Sequence, residues 1–214
     1  MEQIEIIKIL QEKLGNAVLP VTPFPKPYCK NSAEVKAIYL GCDPSNQHSQ
    51  NLPYAFALES ELNIFNSFIK SHEKNLNCIG LSWDNVYVQN LCQNYFKDET
   101  SNNFKVWKAA ANTYWIEHLK NELDSQFKPE IPVLLTSQYL LDVLADGKSA
   151  KILAPEFYEC RTPIPIPANE NKLNRPLIPM YRGKSKLFDV SYHLKYNKWE
   201  NYKLRIINAL KMSY

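Results

Sequence analysis

No stretch of this 214-residue chain approaches the ~20 consecutive apolar residues needed to cross a bilayer as a helix. Residues 1–15 alternate acids and bases with apolar side chains and lack the apolar centre of a secretion signal, which predicts a cytoplasmic protein with no membrane partner. Cysteines stand at 29, 42, 78, 92 and 160, an odd number with no Cys-x-x-Cys pair among them. That spacing argues against a zinc site or an iron–sulfur cluster and predicts free thiols in a reducing compartment, with no metal and no cofactor. A large excess of either charge is lacking as well: 25 Lys and Arg against 22 Asp and Glu give a formal net charge of +3, which permits a nucleic-acid partner without demanding one. Neither an internal repeat nor a low-complexity tract is present. What remains is a globular balance, 45% hydrophobic and 22% charged, at a length suited to one domain over residues 1–214.

Periodicity supplies the elements. Ile4, Ile7, Leu10 and Leu14 recur at helical spacing within residues 2–14, ahead of Gly15. A connector over residues 19–28 holds four prolines in ten residues, which excludes helix interior and predicts an extended surface path into the first strand. Apolar runs at 35–40, 86–91 and 131–135 suit strands covered on both faces. Between them lie two helical stripes, Leu62, Phe65, Phe68 and Ile69, then Val106, Trp107, Ala110, Ala111, Trp115, Leu119 and Leu123. Residues 138–144 predict a short helix. Residues 153–179 carry six prolines and little periodicity; 176–181 are the candidate fourth strand, although Pro179 counts against it. Trp199, Tyr202, Ile206 and Leu210 form the stripe of a closing helix. Alternating strands and helices predict an α/β fold of three layers, α/β/α, around a mainly parallel four-stranded sheet with right-handed crossovers.

In such sheets ligands bind beyond the carboxyl ends of the strands. The residues there are Gly41-Cys42-Asp43-Pro44-Ser45-Asn46 after the first strand, Gln89-Asn90 at the end of the second and Thr136-Ser137-Gln138 after the third. An acid, amides and hydroxyls are thus expected on one rim. Each piece alone is ordinary: Asp-Pro is common turn chemistry, a lone Phe is usually core, and a lone Asn usually forms a turn or caps a helix.

Order and spacing add to this. Gly41-Cys42-Asp43-Pro44 resembles the first motif of the uracil-DNA glycosylase superfamily. In the uracil-specific branch the motif's Asp precedes a base-stacking Phe by 13 residues, and here Asp43 precedes Phe56 by 13. The strand ending Val86-Tyr87-Val88-Gln89-Asn90 resembles the one that ends in the family's base-reading Asn. The third strand with its polar turn and short helix fits residues 133–144, so the likeness runs over roughly residues 36–200. The resemblance implies a DNA glycosylase acting on a flipped uracil or related damaged base in single- or double-stranded DNA, as a monomer and without metal. It assigns Asp43 to the attacking water and the cationic sugar, Phe56 to stacking, Asn90 to reading the base's pairing edge, and the backbone at Cys42 to the base pocket.

Two departures qualify the likeness. A Tyr follows the motif's Pro in the uracil-specific branch, where its ring excludes thymine, whereas Ser45 stands here. Either another side chain closes that wall or the pocket takes a larger or differently substituted base. The family's second motif, His-Pro-Ser, is absent; His193 is the favoured candidate to stabilise the leaving base and Arg182 the rival. Around them Lys184, Lys186, Lys195 and Tyr196 suit phosphate contact and a wedge into the strand, or simply a solvated face. The missing motif leaves open an inactive base-binding protein of the same fold or an enzyme acting on free nucleosides. His48 is expected in a solvated loop, and His72 and His118, within predicted helices, on the surface.

Overall fold

The computed structural model describes residues 2–44, 52–180 and 198–211. Four strands form a wholly parallel sheet: β1 (Ala37–Gly41), β2 (Val86–Asn90), β3 (Val133–Leu135) and β4 (Leu177–Pro179), in the order β2-β1-β3-β4. Every strand residue is buried, as the continuous apolar runs require when both faces are covered.

The helices are α1 (Gln3–Leu14), α2 (Asn66–Asn77), α3 (Phe104–Ala110), α4 (Ile116–Gln126), α5 (Gln138–Leu144), α6 (Ala154–Tyr158) and α7 (Trp199–Lys211). Strand alternation shows which face each covers. Tyr39 of β1 reaches His72 of α2, with 2.6 Å between its hydroxyl and Nδ1. Tyr87 and Gln89 of β2 both donate to Glu122 of α4. Tyr87 is in register with Ile38, one residue from Tyr39 and hence on the opposite face, so α2 and α4 sandwich the sheet in three layers. The chain leaves β1 toward β2 on one side and later adds β3 and β4 on the other. The strand order therefore reverses between β1 and β3, which opens a crevice above their carboxyl ends.

Several expectations need correction. Helix α1 buries Ile6, Ile7 and Leu10, while Ile4 is 55% exposed, because the two residues three and four before Leu10 flank it more closely than Ile4 does. The predicted helix through residues 106–123 is continuous but contains a π-turn, Ala111–Trp115, whose Trp115 Nε1 donates to the buried Asn94 Oδ1 at 2.8 Å. The proline-rich connector runs extended with half of its residues exposed, as expected, but it is also anchored into the core. Phe24 and Tyr28 are buried, and Tyr28 exchanges two 2.9 Å backbone hydrogen bonds with Val88, closing the outer edge of β2. A 3₁₀ turn, Ser32–Glu34, lies between connector and β1. The aperiodic residues 153–179 contain α6, and Ile166 pairs antiparallel with Leu177 along the outer edge of β4. Pro179 is tolerated because it ends an edge strand, and its carbonyl accepts from the buried Tyr202 hydroxyl of α7 at 2.7 Å. Among the described residues no helix is long and apolar enough to cross a membrane.

Candidate functional site

A cavity of about 900 Å³ opens above the carboxyl ends of β1, β2 and β3, and Cys42, Asp43, Phe56 and Asn90 all line it. Their convergence follows from register. Gly41 and Asn90 are paired residues of adjacent parallel strands, so both lie on the α2 side of the sheet with Tyr39. Pairing continues past the strand ends, since Leu91 N–H donates to Gly41 O at 2.8 Å and Cys92 N–H to Cys42 O at 2.9 Å. The turn that carries Asp43 is thereby held against β2. Trp107 Nε1 adds a 3.3 Å bond to Cys42 O, so it is the Cys42 backbone that is used structurally.

Phe56 reaches the cavity on a strained loop. Its φ of 59° and that of Ala57, 56°, lie in the left-handed region, which costs non-glycine residues about 1–2 kcal/mol each. The connector anchors this loop: Ala55 N–H donates to Lys26 O at 2.8 Å, Lys26 N–H to Pro53 O at 3.1 Å, and Tyr28 meets Tyr54 edge to face. The ring then packs among Tyr39, Phe68 and His72, with centroid distances of 5.3, 5.9 and 5.0 Å. Gly41 completes the contact. A Cβ placed there would lie 2.7 and 2.8 Å from two Phe56 ring carbons and would also collide with the Asn90 amide oxygen. Only a glycine lets ring and amide close over the strand end.

Asp43 is half-buried and accepts a hydrogen bond from the Thr100 hydroxyl, which fixes its Oδ1. Pro44, which follows Asp43, has no N–H to offer. On the far rim Thr136 donates its hydroxyl to Leu40 O at 2.8 Å, and Ser137 caps α5 by accepting from Tyr139 N–H at 3.1 Å. Gln138 bridges onward, its Oε1 accepting from Ala154 N–H at 2.7 Å, which sets the start of α6 against the cavity.

A scan against protein-family models finds no match, and no curated protein matches the chain.

Ser45, His48, Arg182, Lys184, Lys186, His193, Lys195 and Tyr196 lie outside the described residues. His118 is partly exposed, but His72 is 1% exposed and not a surface residue. It falls four residues after Phe68, on the same helical stripe as Phe65 and Phe68, and that spacing was the available signal. Thr100 carried no such signal: it sits in the polar run Lys97-Asp98-Glu99-Thr100-Ser101, with nothing local to distinguish it. No disulfide joins any of the five cysteines. Burial above all, then the neighbouring Asp43 and Cys42, pushes the Cys92 thiol well above its ordinary pKa, which keeps it protonated and unreactive.

Proposed function

We propose that this protein is a monofunctional DNA glycosylase related to the uracil-DNA glycosylase superfamily, hydrolysing the bond between sugar and an extruded base. The observation that carries this reading is the joint placement of a ring, an amide and a carboxylate. Phe56 and Asn90 both press on Gly41, and Asp43 lines the same cavity. Phe56 supplies an aromatic wall for the base, and the Asn90 amide, which both donates and accepts, reads a pairing edge such as the O4 and N3–H of uracil. Breaking the C1′–N1 bond sends the electron pair to the base and leaves positive charge on the sugar. Asp43, oriented by Thr100, stabilises that charge and aligns water, whose oxygen adds at C1′ while one of its protons passes by way of the Asp43 carboxylate to the departing base anion. The products are free base and an abasic sugar in the strand. The strain held at Phe56 and Ala57 supports the same reading, since backbone outliers cluster where geometry serves a ligand. In this scheme His193 or Arg182 stabilises the departing base, and Lys184, Lys186, Lys195 and Tyr196 contact the strand.

The test is release of free uracil from a single-stranded oligonucleotide. Wild type is expected to release it, Asp43→Asn to lose about 10²–10⁴-fold and Asn90→Ala about 10²–10³-fold. Full activity in both variants removes the assigned site. The absent His-Pro-Ser motif favours one second reading, a base-binding protein without catalysis, which tight binding to uracil-containing DNA with no product would establish.

A further inference from the structure

The α4 face of the sheet, opposite the side that carries Asn90, holds a polar cluster that the proposed chemistry does not use. Gln89, 1% exposed, sits on that face one residue before Asn90. Glu122 of α4 accepts from the Tyr87 hydroxyl, from Gln89 Nε2 at 3.3 Å and from Gln93 Nε2 at 3.1 Å, and His118 Nε2 stands 3.8 Å from its Oε2. Burial first, then the adjoining Glu122, pushes the Tyr87 hydroxyl well above its ordinary pKa, so it stays protonated and donates. A carboxylate only accepts hydrogen bonds. Glu122 therefore draws the NH₂ end of the Gln89 amide and turns its oxygen the other way.

That oxygen, Gln89 Oε1, accepts from the Asn90 backbone N–H at 2.9 Å. Alternate N–H groups of a strand point to the same edge, so the Asn90 N–H faces outward like that of Val88, which Tyr28 of the connector satisfies. Continued for two residues, this antiparallel register would put Lys26 opposite Asn90. Lys26, however, is committed to the loop that carries Phe56: its carbonyl accepts from Ala55 N–H at 2.8 Å and its N–H donates to Pro53 O at 3.1 Å. The connector thus turns from β2 to the loop of the ring just before the strand ends, and the Gln89 side chain supplies the acceptor that a backbone carbonyl would otherwise provide. Removing it would strand a buried donor at the residue assigned to reading the base.

We propose that Glu122 and Gln89 are positioning residues for Asn90, acting from the far side of the sheet: Glu122 orients the Gln89 amide, and Gln89 holds the Asn90 backbone. The inference rests on the reading of Asn90 as the group that recognises the base. Because the Asn90 side chain leaves the strand on the opposite face from Gln89, a tilt of the backbone at residue 90 swings its amide within the cavity.

The experiment measures uracil release from a single-stranded oligonucleotide by Glu122→Met, which removes the acceptor, and by Glu122→Gln, whose amide oxygen can still accept. Glu122→Met is expected to lower kcat/KM about tenfold, and Glu122→Gln to recover most of that loss. In an Asn90→Ala background Glu122→Met should change kcat/KM by less than about twofold, since a residue that acts through the Asn90 amide has nothing left to act on. Undiminished kcat/KM in Glu122→Met, a loss in Glu122→Gln as large as in Glu122→Met, or an equal drop with and without the Asn90 amide overturns the proposal. Amide hydrogen exchange tests the hold itself, on the protein without substrate. Gln89→Met and Glu122→Met should each speed exchange at the Asn90 N–H about tenfold and leave that at the Val88 N–H within about twofold. Unchanged exchange at Asn90, or equal acceleration at Val88, overturns it. If wild type releases no uracil, the glycosylase reading fails, and the exchange rates alone decide whether Glu122 and Gln89 hold residue 90.

Discussion

At the scale of single residues, Gly41 constrains the site most. It is the last residue of β1, and both groups assigned to base recognition occupy the volume that its missing side chain leaves. Gly41→Ala should therefore act on Phe56 and Asn90 together. Overpacking of this kind costs about 1–3 kcal/mol, and because the displaced ring belongs to the proposed pocket, base binding should suffer alongside stability. Urea denaturation read together with calorimetric binding of free uracil checks this; a variant that binds as tightly as wild type would show that the contact has no bearing on recognition. The left-handed Phe56 and Ala57 fit the same picture, since the ring's packing against Tyr39, Phe68 and His72 offsets the backbone strain. None of that strain was visible in the sequence, where Tyr54-Ala55-Phe56-Ala57 reads as an unremarkable apolar stretch.

At the scale of elements, the junction between α4 and β3 hangs on one buried cation. Arg175, fully buried just before β4, donates through Nη1 to Lys128 O at 2.6 Å and through Nη2 to Leu123 O at 2.9 Å and Phe127 O at 2.8 Å. These carbonyls lie at or just beyond the C-terminus of α4, where a positive charge is favoured; Leu123 O and Lys128 O also accept from Phe127 N–H and Ile131 N–H. Asp124, 3.0 Å from Nη2, adds the counter-charge. Arg175→Met is expected to destabilise the fold by about 3 kcal/mol through loss of the charged hydrogen bonds to Leu123 O, Phe127 O, Lys128 O and Asp124, measured by chemical denaturation. Arg175→Lys should rescue little, because one ammonium cannot replace a planar fork of donors. The predicted strands and most helices were legible from apolar runs and three-to-four spacing. The closing of the sheet edges by Tyr28 and Ile166 was not, because an isolated bridge has no period to detect. Nor was the π-turn, which keeps the apolar stripe while shifting its phase.

At the scale of the whole molecule, the described lining of the cavity and the basic segment of 182–198 differ in charge. The described part of the cavity holds two carboxylates and no cation, whereas the lysines and arginine of 182–198, outside the described residues save for Lys198, supply the segment's positive charge. If strand and base are recognised by different parts of the protein, their salt responses should differ. Affinity for a single-stranded oligonucleotide is expected to fall steeply with added salt, by about 0.7 in log K per log salt for each phosphate contacted. Binding of free uracil should hardly change over the same range. Equal slopes for both would show that the base site itself depends on charge.

What the sequence alone determined was local in character: which runs form strands, which stripes form helices, and that an acid, an amide and hydroxyls stand at strand ends. Strand propensity and apolar periodicity are short-range properties, and the 13-residue step from Asp43 to Phe56 is a count along one chain. Only the tertiary structure decided that Thr100 holds Asp43, that His72 lies inside the protein, and that Gly41 is where ring and amide meet. Those facts depend on parallel register and loop path, which bring together residues dozens of positions apart. Neither propensity nor spacing encodes a distance across that gap, because packing fixes it only once both partners are buried.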